Sequence, residues 1–270
     1  MSSLDLISEW PVDRAAAAVV TRGGGTVAST GDLDAVFPLA SVTKLLVAYA
    51  ALVAVEEGAI ELDQPAGPPG STVRHLLAHA SGLAFGERTV QAEPGQKRIY
   101  SSAGFEVLAE LVEAETDIPF PEYLEQAVFE PLGMRNSALP GPAGHGGESS
   151  VADLARFAAE LLAPVLVSAE LFAEATSVQF PGLRGIVPGY GSFKSNDWGL
   201  GFEIRGEKNP HWTAPTNSNR TFGHFGQSGT FLWNDPEIST ACVVLTDRAF
   251  GDWAKPRWPA LGEAVIAEFT

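Results

Sequence analysis

The apolar residues of this chain change spacing three times, and each change marks a different kind of element. Residues 15–29, AAAAVVTRGGGTVAS, form two short apolar runs broken at Arg22-Gly23-Gly24-Gly25. That pattern predicts two strands joined by a hairpin turn. A glycine triplet can also cradle phosphate, but a phosphate loop leads into a helix and this one leads into Thr26-Val27. Residues 41–57 then carry an almost unbroken helix-forming run, which Gly58 stops as a C-terminal cap. Residues 61–72, with Pro65, Pro68 and Pro69 among glycines, read as a loop.

The middle of the chain has helical spacing at 73–78, 102–115, 121–129, 150–162 and 169–176, with Ser150 and Asp153 as a capping pair. Residues 182–195 are glycine-rich and predict an irregular surface loop beside a cleft. Near Asp197 the period shortens: 198–204, 229–233 and 240–246 read as strands, and 258–269 as a closing helix. Strands at both ends with helices between them predict an α+β protein. Its mainly antiparallel sheet would come from about 1–60 and 196–270, with a helical insertion over 61–195, all within one domain spanning 1–270.

Composition adds exclusions. With 45% apolar and 19% charged residues in 270, the chain can bury a large core without staples. Its net charge of −16 is spread along the sequence, and the densest cationic step is Lys97-Arg98. A basic face for nucleic acid or an anionic membrane is therefore not expected. The single cysteine, Cys242, lies in the apolar run ACVVLT and reads as a buried strand residue in a reducing compartment. The opening MSSLDLISEWPVDR lacks an early Lys or Arg, and no apolar run approaches a membrane span, so the expectation is a cytoplasmic protein.

The chemistry centres on FPLASVTKLL, which sets Ser41 and Lys44 three residues apart where a helix begins. Residues at i and i+3 share a helical face, so a hydroxyl and an amine can meet beside the free N–H groups of the first turn. The pattern supplies a nucleophile, a proton acceptor and half of an oxyanion hole. His75 and His79 form an HxxxH pair, but zinc proteases of that spacing need Glu after the first His, and here Leu76 stands there. No metal site is expected from it.

Four segments in order resemble the serine β-lactamase and penicillin-recognising superfamily, most of all its class C-like branch of esterases and D,D-peptidases. They are Ser41-Val42-Thr43-Lys44; TVRHLLAHASGL; Pro94-Gly95 with IYSSAGFEVLAELVE and FEPLGM; and GHFGQSGT. The resemblance implies Ser41 as the acylated nucleophile, Lys44 as the group sharing its proton, and Tyr100 as a partner coupled to Lys44, whose ammonium would favour the phenolate. It implies that His224 orients substrate or supports the relay, and that Gly226 lets the substrate backbone come close. The amides of Ser41 and Gln227 would form the oxyanion hole.

Two positions depart from the family pattern. Ser102 stands where the family usually carries Asn, at a place that would touch substrate, and His224 stands where β-lactamases carry Lys. A hydroxyl cannot present both donor and acceptor as a carboxamide does, and a neutral imidazole anchors a carboxylate weakly. Both departures point toward an esterase or a narrow amidase. The implied reaction needs no metal or organic cofactor, and its partner is a small ester, amide or β-lactam. A catalytically impaired relative that binds a peptide or metabolite in the same cleft is the alternative. A cell-wall D,D-peptidase is disfavoured because no export signal is read.

Overall fold

The computed structural model describes residues 2–270. Its strands, in chain order, are β1 (Ala15–Thr21), β2 (Gly25–Thr30), β3 (Val36–Pro38), β4 (Glu148–Ser150), β5 (Gly185–Val187), β6 (Gly191–Phe193), β7 (Glu203–Ile204), β8 (Phe222–Gly226), β9 (Thr230–Asp235) and β10 (Thr240–Thr246). The main sheet has the order β2-β1-β10-β9-β8-β7, and its recorded pairings are all antiparallel. The sheet is thus built from both ends of the chain, as the change of period implied. The two remaining pairs, β3 with β4 from distant parts of the chain and the hairpin of β5 with β6, stand apart as small antiparallel ladders.

Alternation along each central strand explains why these runs are continuously apolar. On β1, Ala16, Ala18 and Val20 face one core while Ala17 and Val19 face the other. On β10, Ala241, Val243 and Leu245 share the first core, and Cys242 and Val244 the second. A strand buried on both faces has no solvent side to mark with polar residues. Cys242 is accordingly a fully buried strand thiol, as its apolar setting predicted.

The helices are α1 (Thr43–Glu56), α2 (Val73–Leu77), α3 (Ser102–Thr116), α4 (Phe120–Leu124), α5 (Glu130–Leu132), α6 (Val151–Leu162), α7 (Ala169–Ala175) and α8 (Ala254–Phe269). Every residue of α1 from Thr43 to Ala54 is buried, so it runs through the centre of the larger core. Gly58 ends it with φ +74, the left-handed conformation expected of that cap. The Ser150 hydroxyl accepts the Asp153 N–H and caps α6, which packs on β1, β9 and β10. On the other face α8 covers β10 with Trp258, Leu261 and Val265.

Three expectations need correction. Residues 198–204 form only the short β7, because Gly199 and Gly201 (φ +88) fold the segment into a tight bend joined to Trp198 by a single bridge to Glu203. Residues 182–195 are a β5–β6 hairpin instead of an irregular loop. The closing helix starts at Ala254, one turn before the predicted position; Pro256 lies in its first turn, where a missing N–H does least harm, while Pro259 lies inside the helix and forgoes one helical hydrogen bond. Among the described residues no helix is long and apolar enough to cross a membrane.

Candidate active site

Ser41 sits in a single 3₁₀ turn, Ala40–Val42, immediately before α1. Ala40 adopts φ +45, a conformation that a residue with a Cβ rarely takes. Such a bend persists only where neighbours impose it. The Thr230 hydroxyl donates to the Leu39 carbonyl at 2.9 Å, the Ser228 hydroxyl to the Pro38 carbonyl at 2.7 Å, and the Leu39 N–H to the Gly147 carbonyl at 2.9 Å. The nucleophile candidate is therefore clamped to the β8–β9 turn. Gly226 makes the approach possible: a Cβ there would lie 2.2 Å from the Leu39 carbonyl oxygen and 2.5 Å from the Thr230 hydroxyl. Gly226 thus admits the chain's own turn, a close approach that the resemblance had implied for a substrate backbone.

Lys44 is wholly buried one helical turn from Ser41. Its ammonium donates to the Ser102 hydroxyl at 3.0 Å and to the Gly144 carbonyl at 2.6 Å. Burial lowers its pKa from 10.5 to about 7, against an opposing pull from Glu106. Ser102 is itself 6% exposed and lies behind the lysine, so it braces Lys44 and does not line the cavity expected to hold substrate. Gly144 packs so tightly on Ser102 that a Cβ would meet the Ser102 Cβ at 2.7 Å.

The Tyr100 hydroxyl is buried beside the Ser41 hydroxyl but short of hydrogen-bond geometry, and it has no partner. Lys44 lies over the Tyr100 ring face, 4.5 Å from its centroid, and not against its oxygen. The expectation of a lysine-favoured phenolate therefore fails. Burial pushes the Tyr100 pKa up, the Ser41 contact offsets only part of this, and Glu203 adds to the rise. Tyr100 stays a neutral phenol.

His224 is 4% exposed on β8, and its Nδ1 lies 2.6 Å from the Phe225 carbonyl oxygen. That contact requires Nδ1–H as donor and leaves Nε2 a bare acceptor, without a partner. Burial lowers its pKa to about 4, helped by Lys44, so the imidazole is neutral near pH 7.

These groups converge on a chamber of about 220 Å³ lined by Ser41, Tyr100, His224 and Gln227 with the apolar Phe85, Ile186 and Trp198. Three unpartnered buried atoms belong to its walls: the Tyr100 hydroxyl, His224 Nε2 and Trp198 Nε1. Buried polar atoms are normally paired, so a cluster without partners marks a place built for a polar guest. A second chamber of about 510 Å³ adjoins it, sharing Phe85, Tyr100, Ile186 and Pro188. The hairpin β5–β6 supplies walls of both, so the segment predicted to border a cleft does so.

Sequence reasoning missed two acids. Glu106, on α3, accepts the Ala143 and Gly144 N–H groups at 3.0 and 2.7 Å and so holds the residue that binds Lys44. It lies one helical turn beyond Ser102, a spacing that could have drawn attention to it. Glu203 lines the inner chamber, accepts from Trp212 at 2.7 Å and sits 3.4 Å from Lys208. Burial would raise its pKa, but Lys208 and His211 hold it at about 2.

His75 and His79 do not form a pair. His75 Nδ1 lies 2.9 Å from the Thr72 hydroxyl, while His79 is caged by Tyr100, Phe105 and Trp198 and accepts the Ser101 N–H at 3.1 Å. Among the described residues no cluster of three metal-ligating side chains occurs.

A mainly antiparallel sheet flanked by helices, with Ser41, Lys44 and Tyr100 gathered where helix α1 begins, defines a class, that of the beta-lactamase fold. The sequence model described as Beta-lactamase matches residues 12–265, and the chain belongs to that family. A beta-lactamase from Mycobacterium bovis superposes with a TM-score of 0.98 at 59% identity, over 100% of both chains. Simvastatin synthase from Aspergillus terreus shares the fold at TM-score 0.83 and 15% identity, over 98% of this chain and 96% of that one. The D-alanyl-D-alanine-carboxypeptidase/endopeptidase AmpH of Escherichia coli is 24% identical over 45% of this chain and 41% of its own. The aligned parts take in less than half the length of such curated relatives.

Proposed function

We propose that the protein is a serine hydrolase that passes through an acyl-enzyme on Ser41 and prefers esters to β-lactams. The observation that carries this reading is the set of buried, unpartnered polar atoms on residues that line one mainly apolar chamber with Ser41. Lys44, held near pKa 7 by burial, takes the Ser41 proton as the hydroxyl oxygen bonds to the substrate carbonyl carbon. The Ser41 and Gln227 amides receive the oxyanion. As the tetrahedral intermediate collapses, the bond to the leaving alkoxide breaks, and the neutral phenol of Tyr100 gives it a proton that Lys44, whose amine faces the Tyr100 ring and not its oxygen, replaces through an intervening water. Water then adds to the acyl-enzyme, loses a proton to the same pair, and releases the acid and the Ser41 hydroxyl. Ser102 acts by positioning Lys44, and His224 by accepting a hydrogen bond at Nε2.

Two features favour esters. No Lys or Arg lines the inner chamber, where His224 is neutral, Glu203 contributes a paired carboxylate and Lys44 lies behind the wall with its ammonium on Ser102 and Gly144. The carboxylate that accompanies a β-lactam ring would be desolvated there without a counter-charge. No Asn lines the chamber to hold an amide side chain.

The test is hydrolysis of p-nitrophenyl butyrate beside nitrocefin and a D-alanyl-D-alanine peptide, together with labelling by a fluorescent fluorophosphonate. Ester turnover and labelling that vanish in Ser41→Ala are expected. Equal turnover and labelling of the variant and the wild type would overturn the proposal.

A further inference from the structure

The outer chamber carries a concentration of positive charge that the overall composition does not predict. Its lining includes Lys97, Arg98 and Arg184 and no acidic residue, on a chain with net charge −16. The backbone explains how the cations meet. Arg98 and Gly185 form a parallel bridge, with the Arg98 N–H donating to the Arg184 carbonyl at 3.0 Å. Lys97 and Arg184 are the residues preceding each bridge partner, so they lie side by side on one face of the two segments. Gly185 allows this approach, since a Cβ there would come within 2.7 Å of the Arg98 Cβ and carbonyl oxygen.

Both side chains are exposed, and like charges placed beside each other repel. Neither Lys97 nor Arg184 enters an ion pair among the described residues. Arg98 reinforces them from behind. It is 3% exposed, and its guanidinium donates to the carbonyls of Ala78, Asn196, Gln179 and Phe180, not to any carboxylate. Carbonyl dipoles satisfy its hydrogen bonds and leave its net charge in place. Burial lowers its pKa only to about 10, so it remains a cation at neutral pH. A buried charge acts on a neighbouring cavity with less screening than an exposed one. Gln91 and Ser192 add neutral hydrogen-bonding groups to the same walls.

We propose that the outer chamber is an anion subsite, so that the ester hydrolysed at Ser41 carries a negatively charged group held by Lys97 and Arg184, with Arg98 behind them. The inference deepens the hydrolase reading and rests on it. The substrate is amphiphilic: its hydrocarbon part fills the apolar inner chamber, its carbonyl lies at Ser41, and its anion points outward between the two cations. The arrangement also turns a strongly acidic protein, which repels anions at long range, into one that accepts them at a single mouth.

The experiment uses two matched pairs of chromogenic esters. The first compares p-nitrophenyl hydrogen glutarate with p-nitrophenyl pentanoate, placing the charge on the acyl side. The second compares 3-carboxy-4-nitrophenyl butyrate with p-nitrophenyl butyrate, placing it on the alcohol side. The wild type is expected to favour the charged member of one pair by about tenfold or more in kcat/KM at low salt. Which pair shows it tells which half of the substrate faces outward. The preference is expected to disappear in Lys97→Ala/Arg184→Ala, to invert in Lys97→Glu/Arg184→Glu, and to shrink at high salt. Turnover of the neutral esters by wild type with no charge preference in either pair overturns the subsite while leaving the hydrolase reading intact. A preference that survives the double charge reversal overturns it equally. Absence of Ser41-dependent turnover on all four esters removes the hydrolase reading, and this inference with it.

Discussion

Lys44 and Glu106 grip Gly144 from opposite ends: the ammonium takes its carbonyl at 2.6 Å, and the carboxylate takes its N–H at 2.7 Å. Opposite charges are thereby separated by one small residue and cannot collapse into an ion pair. The lysine feels the acid only as a distant pull, too weak to offset burial, and so titrates near neutrality.

That relation sets the pH profile. With Lys44 acting as a base, kcat/KM for an ester should rise through about pH 7 as its ammonium deprotonates. Glu106→Gln removes the group that favours the ammonium, so Lys44 should lose its proton more readily. The acidic limb of the profile should then move to lower pH. A pH–rate series on both proteins checks this, and an unmoved or alkaline-shifted limb would contradict it.

The same lysine should leave a mark on stability. Its folded pKa lies below its unfolded value, so between pH 7 and about 10 the unfolded chain binds the extra proton. Stability contributed by this site therefore rises with pH across that window, by about 1.4 kcal/mol per unit. Lys44→Met removes the dependence. Urea unfolding at pH 7 and pH 9.5 should show the variant's stability falling relative to wild type as pH increases.

Tyr100→Phe keeps the ring that Lys44 covers and deletes only the hydroxyl beside Ser41. Ester turnover should fall on the order of a hundredfold, as for loss of a general acid–base group, with the melting temperature nearly unchanged. Steady-state kinetics beside a thermal melt separates the two effects.

Gly144→Ala should be damaging despite its small size. The added methyl would meet both the Cβ and the backbone of Ser102, at 2.7 and 3.0 Å, and displace the carbonyl that holds Lys44. A loss of about 1–3 kcal/mol in chemical denaturation is expected, with reduced ester turnover.

Arg98→Met should be worse, since it strands the carbonyls of Ala78, Asn196, Gln179 and Phe180 in the interior. About 3–5 kcal/mol of destabilisation is expected, measured by urea unfolding.

Much of the fold was legible because strand and helix periods leave direct traces. The hairpin at Arg22-Gly23-Gly24-Gly25, the cap at Gly58 and the strand Thr240–Thr246 are local signals, and each lies where it was read. Elements shaped by tertiary contact were not legible. Residues 198–204 look like a strand in composition, and only the packing of Gly199 and Gly201 shows the bend. In the site, Ser41, Tyr100, His224 and Gln227 were placed from motif resemblance, and one chamber receives them all. The ionisation of Tyr100 was misread because motif spacing does not tell whether an amine meets a phenol at its oxygen or over its ring. Glu106 passed unnoticed because its donors, Ala143 and Gly144, lie far along the chain, and Glu203 because nothing in the sequence shows that Lys208, His211 and Trp212 fold back onto it.

The pairing of Ala15 with Thr246 bears on how the chain acquires its shape. The first strand occupies the interior of the main sheet, and its inner edge waits for β10, a segment far along the chain that is made much later. Until then a wholly apolar run has half of its ladder open. Emergence from the ribosome should therefore bring a long exposed interval, a slow closing step and a strong reliance on holding chaperones.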